Sequence, residues 1–170
     1  KNILFGILSS CLSFKTARSK KIFLDRFKND KGETKESLKN LKKYKIIAGI
    51  DEVGRGCLAG PVVSAAVILK KKVQIKKLKD SKKLTFKQRI EISKDIKNNS
   101  LFSIGIASVK EIEKLNILQA SLLSMKRAIL SLPKKPDLVL VDGIFAPKIL
   151  IECKTVIKGD EKINCISAAS

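Results

Sequence analysis

The sequence predicts an α/β domain, a sheet flanked by helices, on three observations. They are short β-branched apolar runs, helical spacing of apolar residues behind capping boxes, and alternation of the two from residue 46 onward. Residues 46–50 form a short apolar strand ending at Asp51, and Val62–Leu69 is a second, β-branched run. Thr85, with Gln88 three residues on, makes a capping box that opens a helix to about residue 98, with Phe86, Ile90 and Ile96 available for a buried side. Residues 102–107 read as a third strand. Ser108 with Glu111 is a second capping box, after which Leu115, Leu118, Leu122, Met125 and Ile129 keep helical spacing until Pro133 stops it. Residues 138–141 are a buried strand ending at Asp142, and residues 154–157 are one more.

Of 170 residues, 36 are Lys or Arg and 16 are Asp or Glu, a net charge of +20. Such a surface gains affinity for polyanions by releasing their condensed counterions, so nucleic acid is the first partner expected and an anionic membrane surface the second. Seven Phe and one Tyr supply a base-stacking platform poorly, which favours a duplex read through its backbone. The 44% apolar content is enough for a core and excludes a disordered polycation. Histidine is absent, which removes Ser-His-Asp and Cys-His triads and every imidazole metal site. Cys11, Cys57, Cys153 and Cys165 form no C-x-x-C pair and read as reduced thiols of a cytoplasmic protein.

Charge divides the chain. Residues 1–45 carry 13 basic and 4 acidic side chains without strand-like alternation, so residues 1–43 are expected to be an ill-defined basic extension and residues 44–170 the ordered domain. The apolar stretch 3–14 is shorter than the ~20 residues of a membrane span. Because the chain starts at Lys1 and stops within the ordered-looking segment 163–170, a fragment at both ends is expected. The run 70–83 holds eight lysines and one acid, and reads either as a solvated loop or as a rail for a nucleic-acid backbone.

Open α/β sheets bind ligands at the carboxyl ends of their strands. Two apolar strands finish in acid there, I-A-G-I-D-E at Asp51 and Glu52 and L-V-L-V-D-G at Asp142. Carboxylates held at buried strand ends are costly to ionise without a counter-charge, and an oxygen-only ligand set suits Mg²⁺ or Mn²⁺. The plainer alternative is that both aspartates are strand-end turn residues. Gly54, Arg55 and Gly56 follow the acidic pair at once, so backbone N–H groups and a planar guanidinium stand ready for phosphate or sugar oxygens, although a tight turn would use the same residues.

The run G-I-D-E-V-G-R-G-C-L-A-G-P-V-V resembles the signature of the ribonuclease HII family, the type 2 ribonucleases H. Four further pieces agree in order: D-S-K-K-L, L-N-I-L-Q-A, V-D-G, and V-I-K-G-D followed by I-S-A-A-S. The resemblance covers residue 45 to the end, and the G-R-G favours type HII over type HIII. It implies an RNase H-like mixed sheet flanked by helices, incomplete at the C-terminus. It also implies a monomeric endonuclease that hydrolyses the RNA strand of RNA–DNA hybrids and cuts at ribonucleotides embedded in duplex DNA, leaving a 5′-phosphate. Asp51, Glu52 and Asp142 become catalytic ligands of two Mn²⁺ or Mg²⁺ ions, one activating water and one stabilising the departing oxygen. Gly54, Arg55 and Gly56 become the loop that reads the ribose 2′-OH, and Lys82 and Lys158 phosphate contacts. Asn116 stands at a family-like position but reads as a helix-surface residue.

The family pattern also leads one to expect a fourth acid shortly beyond S-A-A-S, further helices and a substrate-contacting tyrosine, while the chain stops at Ser170. A hybrid-binding module without turnover is therefore the alternative. A peripheral membrane protein using residues 1–28 is the other, and stable membrane association is not expected.

Overall fold

The computed structural model describes residues 40–57, 59–70 and 85–170. Contacts divide the chain into two compact units, Lys1–Leu41 and Lys42–Ser170. The basic extension up to residue 39, the lysine run beyond Lys70, and Lys82 lie outside the described residues.

Five strands, β1 (Ile47–Val53), β2 (Val62–Leu69), β3 (Ser100–Ala107), β4 (Leu138–Asp142) and β5 (Glu152–Val156), form one mixed sheet in the order β3-β2-β1-β4-β5. The first three make an antiparallel meander, whereas β4 is parallel to β1 and β5 parallel to β4. Consequently β1, β3, β4 and β5 all point the same way, and their carboxyl ends share one edge. Around them stand α1 (Phe86–Asn99), α2 (Val109–Leu115), α3 (Ile117–Leu130), α4 (Gly159–Lys162) and α5 (Asn164–Ala169). The expected sheet flanked by helices is therefore the observed architecture.

Both capping boxes form. The Thr85 hydroxyl accepts from Gln88 N at 3.3 Å while Thr85 N donates to Gln88 Oε1 at 2.9 Å, and Ser108 with Glu111 does the same for α2. The single helix expected after Ser108 is instead broken at Asn116, whose φ of 70° ends α2. Its N–H closes α2 on Ile112 O, and its Oδ1 accepts from Gln119 N to open α3. With ψ at 164° this is a strained backbone for a residue other than glycine, and the short amide side chain offsets it by capping the next helix.

The main core lies between α3 and one face of the sheet, where Met125, Ala128 and Ile129 meet Ala48, Ile50, Ala66, Ile68, Val139 and Val141. Fully burying a side chain such as Ile50 or Ile129 contributes about 1.5–3 kcal/mol. The expected face is kept in part, since Met125 and Ile129 are buried as the spacing implied. Leu115 is exposed, and α3 turns small residues, Ala120, Ser121, Ser124 and Ala128, to the sheet. The cause is close approach: a side chain on Gly105 of β3 would collide with the backbone of Ser124 and Ala128. Serines knit the contact, Ser64 Oγ to Ser124 Oγ at 2.6 Å and Ser103 Oγ donating to Ala128 O at 2.5 Å. Helix α1 departs similarly. It buries Ile92, leaves Ile96 half-buried, and exposes Phe86 and Ile90.

Strand β1 runs past its expected end, so Asp51 and Glu52 are strand residues. On the face opposite α3, α5 sits directly on β1, because Gly49 offers no side chain where the Cys165 carbonyl and Ile166 N pass. Gly49→Ala should therefore destabilise the domain by at least the roughly 1–3 kcal/mol typical of overpacking, since a backbone and not a flexible side chain must move. Denaturant unfolding of the variant against the parent measures it, and unchanged stability would refute the α5–β1 contact.

Candidate active site

In the parallel β1–β4 pair Ile50 lies opposite Val141, so the next residues, Asp51 and Asp142, stand side by side on strands about 4.8 Å apart. Alternation turns both toward the α5 face and turns Glu52, opposite Ser64, the other way. Each carboxylate is held. Asp51 Oδ1 accepts from Glu52 N at 2.7 Å, and the Ser170 hydroxyl also bonds it. Asp142 Oδ1 accepts from Gly159 N at 2.6 Å. Glu52 Oε1 takes Arg55 Nη1 at 2.9 Å.

The electrostatics are those of crowded acids short of positive charge. Burial, then the neighbouring Asp142 and Glu52 charges, push the Asp51 carboxyl up to about 7. Burial raises Glu52 too, opposed by the Arg55 guanidinium. Burial raises Asp142 against the Gly159 N–H, and the charge of Asp160 raises it further. Oxygen donors in this state suit a hard divalent cation, which would supply the missing charge. The donor set therefore fits, although among the described residues no three acidic or Cys side chains converge closely enough to hold an ion. Glu52 is turned to Arg55 and Asp142 to Gly159.

The expected binding residues divide. Gly54 adopts φ 102° and its carbonyl accepts from Cys57 N at 3.4 Å, so the G-R-G segment is a tight turn immediately beyond β1 with Gly56 and the Arg55 side chain exposed. Lys158 is exposed and left-handed at φ 54° as the N-cap residue of α4, one residue from the Gly159 N–H that holds Asp142. Lys82 lies outside the described residues. Asn116 is the strained cap between α2 and α3, at the same end of the sheet.

Asp160 was missed from sequence. It is 9% exposed, in the first turn of α4, with Oδ1 accepting from Glu161 N at 3.0 Å. Its charge raises the Asp142 carboxyl, so a further acid stands beside the cluster; the fourth acid that the sequence pattern suggested belongs to a different place, beyond S-A-A-S. The signal lay in K-G-D itself, an acid directly after a strand and a glycine.

A carboxyl raised from 3.8 to about 7 destabilises the fold as its proton is lost. The metal-free chain should therefore be most stable below pH 4 with respect to Asp51 and lose that contribution as pH rises to about 7. In thermal melts Asp51→Asn should flatten this slope, and a parent-like slope in the variant would show that Asp51 is not the group responsible.

The ribonuclease HII family profile matches residues 48–170. Over 127 residues the chain is 61% identical to ribonuclease HII of Pelagibacter ubique, covering 74% of this chain and 68% of the relative. To ribonuclease HII of Coxiella burnetii it is 50% identical over 126 residues, covering 74% of this chain and 62% of that protein. Its fold is similar to that of the crystallised ribonuclease H2 from Pyrococcus horikoshii OT3, with a TM-score of 0.61 at 27% identity over 73% of this chain and 68% of the other. With Asp51 and Asp142 paired at the strand ends and the G-R-G turn beside them, the chain belongs to the ribonuclease HII family.

Proposed function

We propose that this site hydrolyses the RNA strand of RNA–DNA hybrids and cuts at ribonucleotides embedded in duplex DNA, giving 5′-phosphate ends. The observation that carries the reading is the side-by-side placement of Asp51 and Asp142 with an Arg-bearing glycine turn next in the chain. Asp51, Glu52 and Asp142 would hold Mn²⁺ or Mg²⁺. The chemistry supplied by two such ions is polarisation of the scissile phosphate and activation of water.

The protein's own groups do the rest. Rigid strands fix Asp51 and Asp142, and the Gly159 N–H orients the Asp142 carboxylate from behind. Arg55 neutralises Glu52 until substrate arrives, and its exposed fork, with the N–H groups of Gly54 and Gly56, faces the sugar-phosphate chain at the ribonucleotide. Exposed Lys158 adds a phosphate contact, as does Lys82 in the D-S-K motif. A hybrid-binding module without turnover is the less favoured reading, because the relatives that the chain matches are named ribonuclease HII. Free thiols at Cys57, Cys153 and Cys165 are in keeping with a reducing compartment. Among the described residues no helix is long and apolar enough to cross a membrane.

Asp142→Asn keeps size and removes charge, so Mn²⁺-dependent cleavage of a hybrid should fall by ~10² or more while the melting curve stays cooperative. Retained turnover with normal metal dependence would reduce Asp142 to a strand-end residue. Arg55→Ala should lower cleavage at a lone ribonucleotide more than it lowers binding to all-DNA duplex, because a positioning turn acts at the junction and not along the backbone. Equal losses on both would make Arg55 a general phosphate contact.

A further inference from the structure

Helix α2 buries none of its residues, yet it is pinned from several sides. Glu111 accepts from Ser108 N at 2.9 Å within the capping box, and from Arg127 Nη2 at 2.6 Å and Nη1 at 3.0 Å. Arg127 Nη1 also donates to Ile106 O at 2.6 Å, so one guanidinium on α3 ties α2 to the end of β3. The Arg127 bonds, followed by those of Ser108, pull Glu111 down to about 2, which keeps the clamp charged at any physiological pH. A helix that adds nothing to the core is thus held in a fixed place.

What it presents there is Lys110 and Lys114, both exposed and four residues apart, hence on one face and about 6 Å apart along the axis. Among the described residues neither has an ion-pair partner, Glu113 included. The helix follows β3, whose carboxyl end shares an edge with those of β1 and β4, and β3 lies two strands, about 10 Å, from β1. A duplex lying across this edge with one strand at Asp51 and Asp142 would bring its other strand, across the groove, over α2.

We propose that Lys110 and Lys114 bind consecutive phosphates of the strand opposite the one that is cut. The contact rests on the hybrid-cleaving reading above and adds a second track to it: the carboxylate site engages the RNA strand, and α2 engages the DNA strand. Because the Glu111–Arg127 clamp fixes the helix, the two tracks are held at a set separation, which selects duplex over single strand.

The test is fluorescence anisotropy of a labelled RNA–DNA hybrid, and of the same RNA alone, titrated with the whole chain without divalent metal at about 50–200 mM salt. For Lys110→Ala/Lys114→Ala the slope of log affinity against log salt on the hybrid should shrink by roughly 1.8, about 0.9 for each lost phosphate contact. Binding to the single-stranded RNA should be unaltered. Lys134→Ala/Lys135→Ala, in the connection that precedes β4 at the opposite edge, removes the same charge and should leave the hybrid slope unchanged. An unaltered hybrid slope in the α2 variant, an equal change in the control, or an equal loss on single-stranded RNA would each overturn the proposal while leaving the cleavage reading in place. A parent chain that binds hybrid no better than single strand would instead remove that reading and the proposal with it.

Discussion

The pairing of β1 with β4 is the contact on which the site depends. Parallel register puts Asp51 next to Asp142 at strand spacing, in a place that burial makes unfavourable for charge. Two carboxylates so placed repel each other, and the fold opposes this with little: one guanidinium on Glu52 and a few N–H donors. A packed interior gains nothing from such an arrangement. On the function proposed above, an external cation would complete the charge balance at this edge of the sheet.

Other features follow from that pairing. Because β4 and β5 run parallel to β1, and β3 returns to the same direction through the meander, every connection that leaves their carboxyl ends gathers at one edge. The positive-φ residues of the described chain, Gly54, Gly60, Asn116, Gly143 and Lys158, all fall in those connections or in the helix break that follows β3. The three glycines adopt this backbone without steric cost, whereas at Asn116 and Lys158 it costs free energy, and such cost collects where surrounding structure fixes side chains for a task. The bare backbone of Gly49 then lets α5 lie on β1, which brings α4 and Asp160 against the same acids.

Local chemistry was legible where it is self-contained. A capping box needs only residues three apart, so the starts of α1 and α2 were readable at Thr85 and Ser108. The strands β2 and β4, apolar except for Ser64 and the terminal Asp142, were readable because both of their faces are largely covered. Legibility failed where a second element decides. The helical period pointed to Leu115, Leu118, Leu122, Met125 and Ile129 as the buried line; Met125 and Ile129 are buried and Leu122 packs against the core, but Leu115 is exposed, and the approach of Gly105 draws the close seam through Ser124 and Ala128. Asn116 breaks what periodicity joins, since its amide caps the following helix. Phe86 and Ile90 were expected inside and lie outside, because α1 meets the sheet mainly through Ile92.

By itself the sequence determined the kinds of group available: no imidazole, acids at the ends of apolar strands, an arginine between glycines, and an excess of positive charge. Those are properties of residue type and near-neighbour order, and they survive without coordinates. Tertiary structure alone decided which acids share a field. Asp51 and Asp142 are far apart in the chain and become neighbours through strand register, while Asp160 joins them through the Gly159 N–H bond to Asp142. The physical reason is that carboxylate interactions depend on separation and solvent exclusion, and both are set by packing between elements that sequence order does not place side by side.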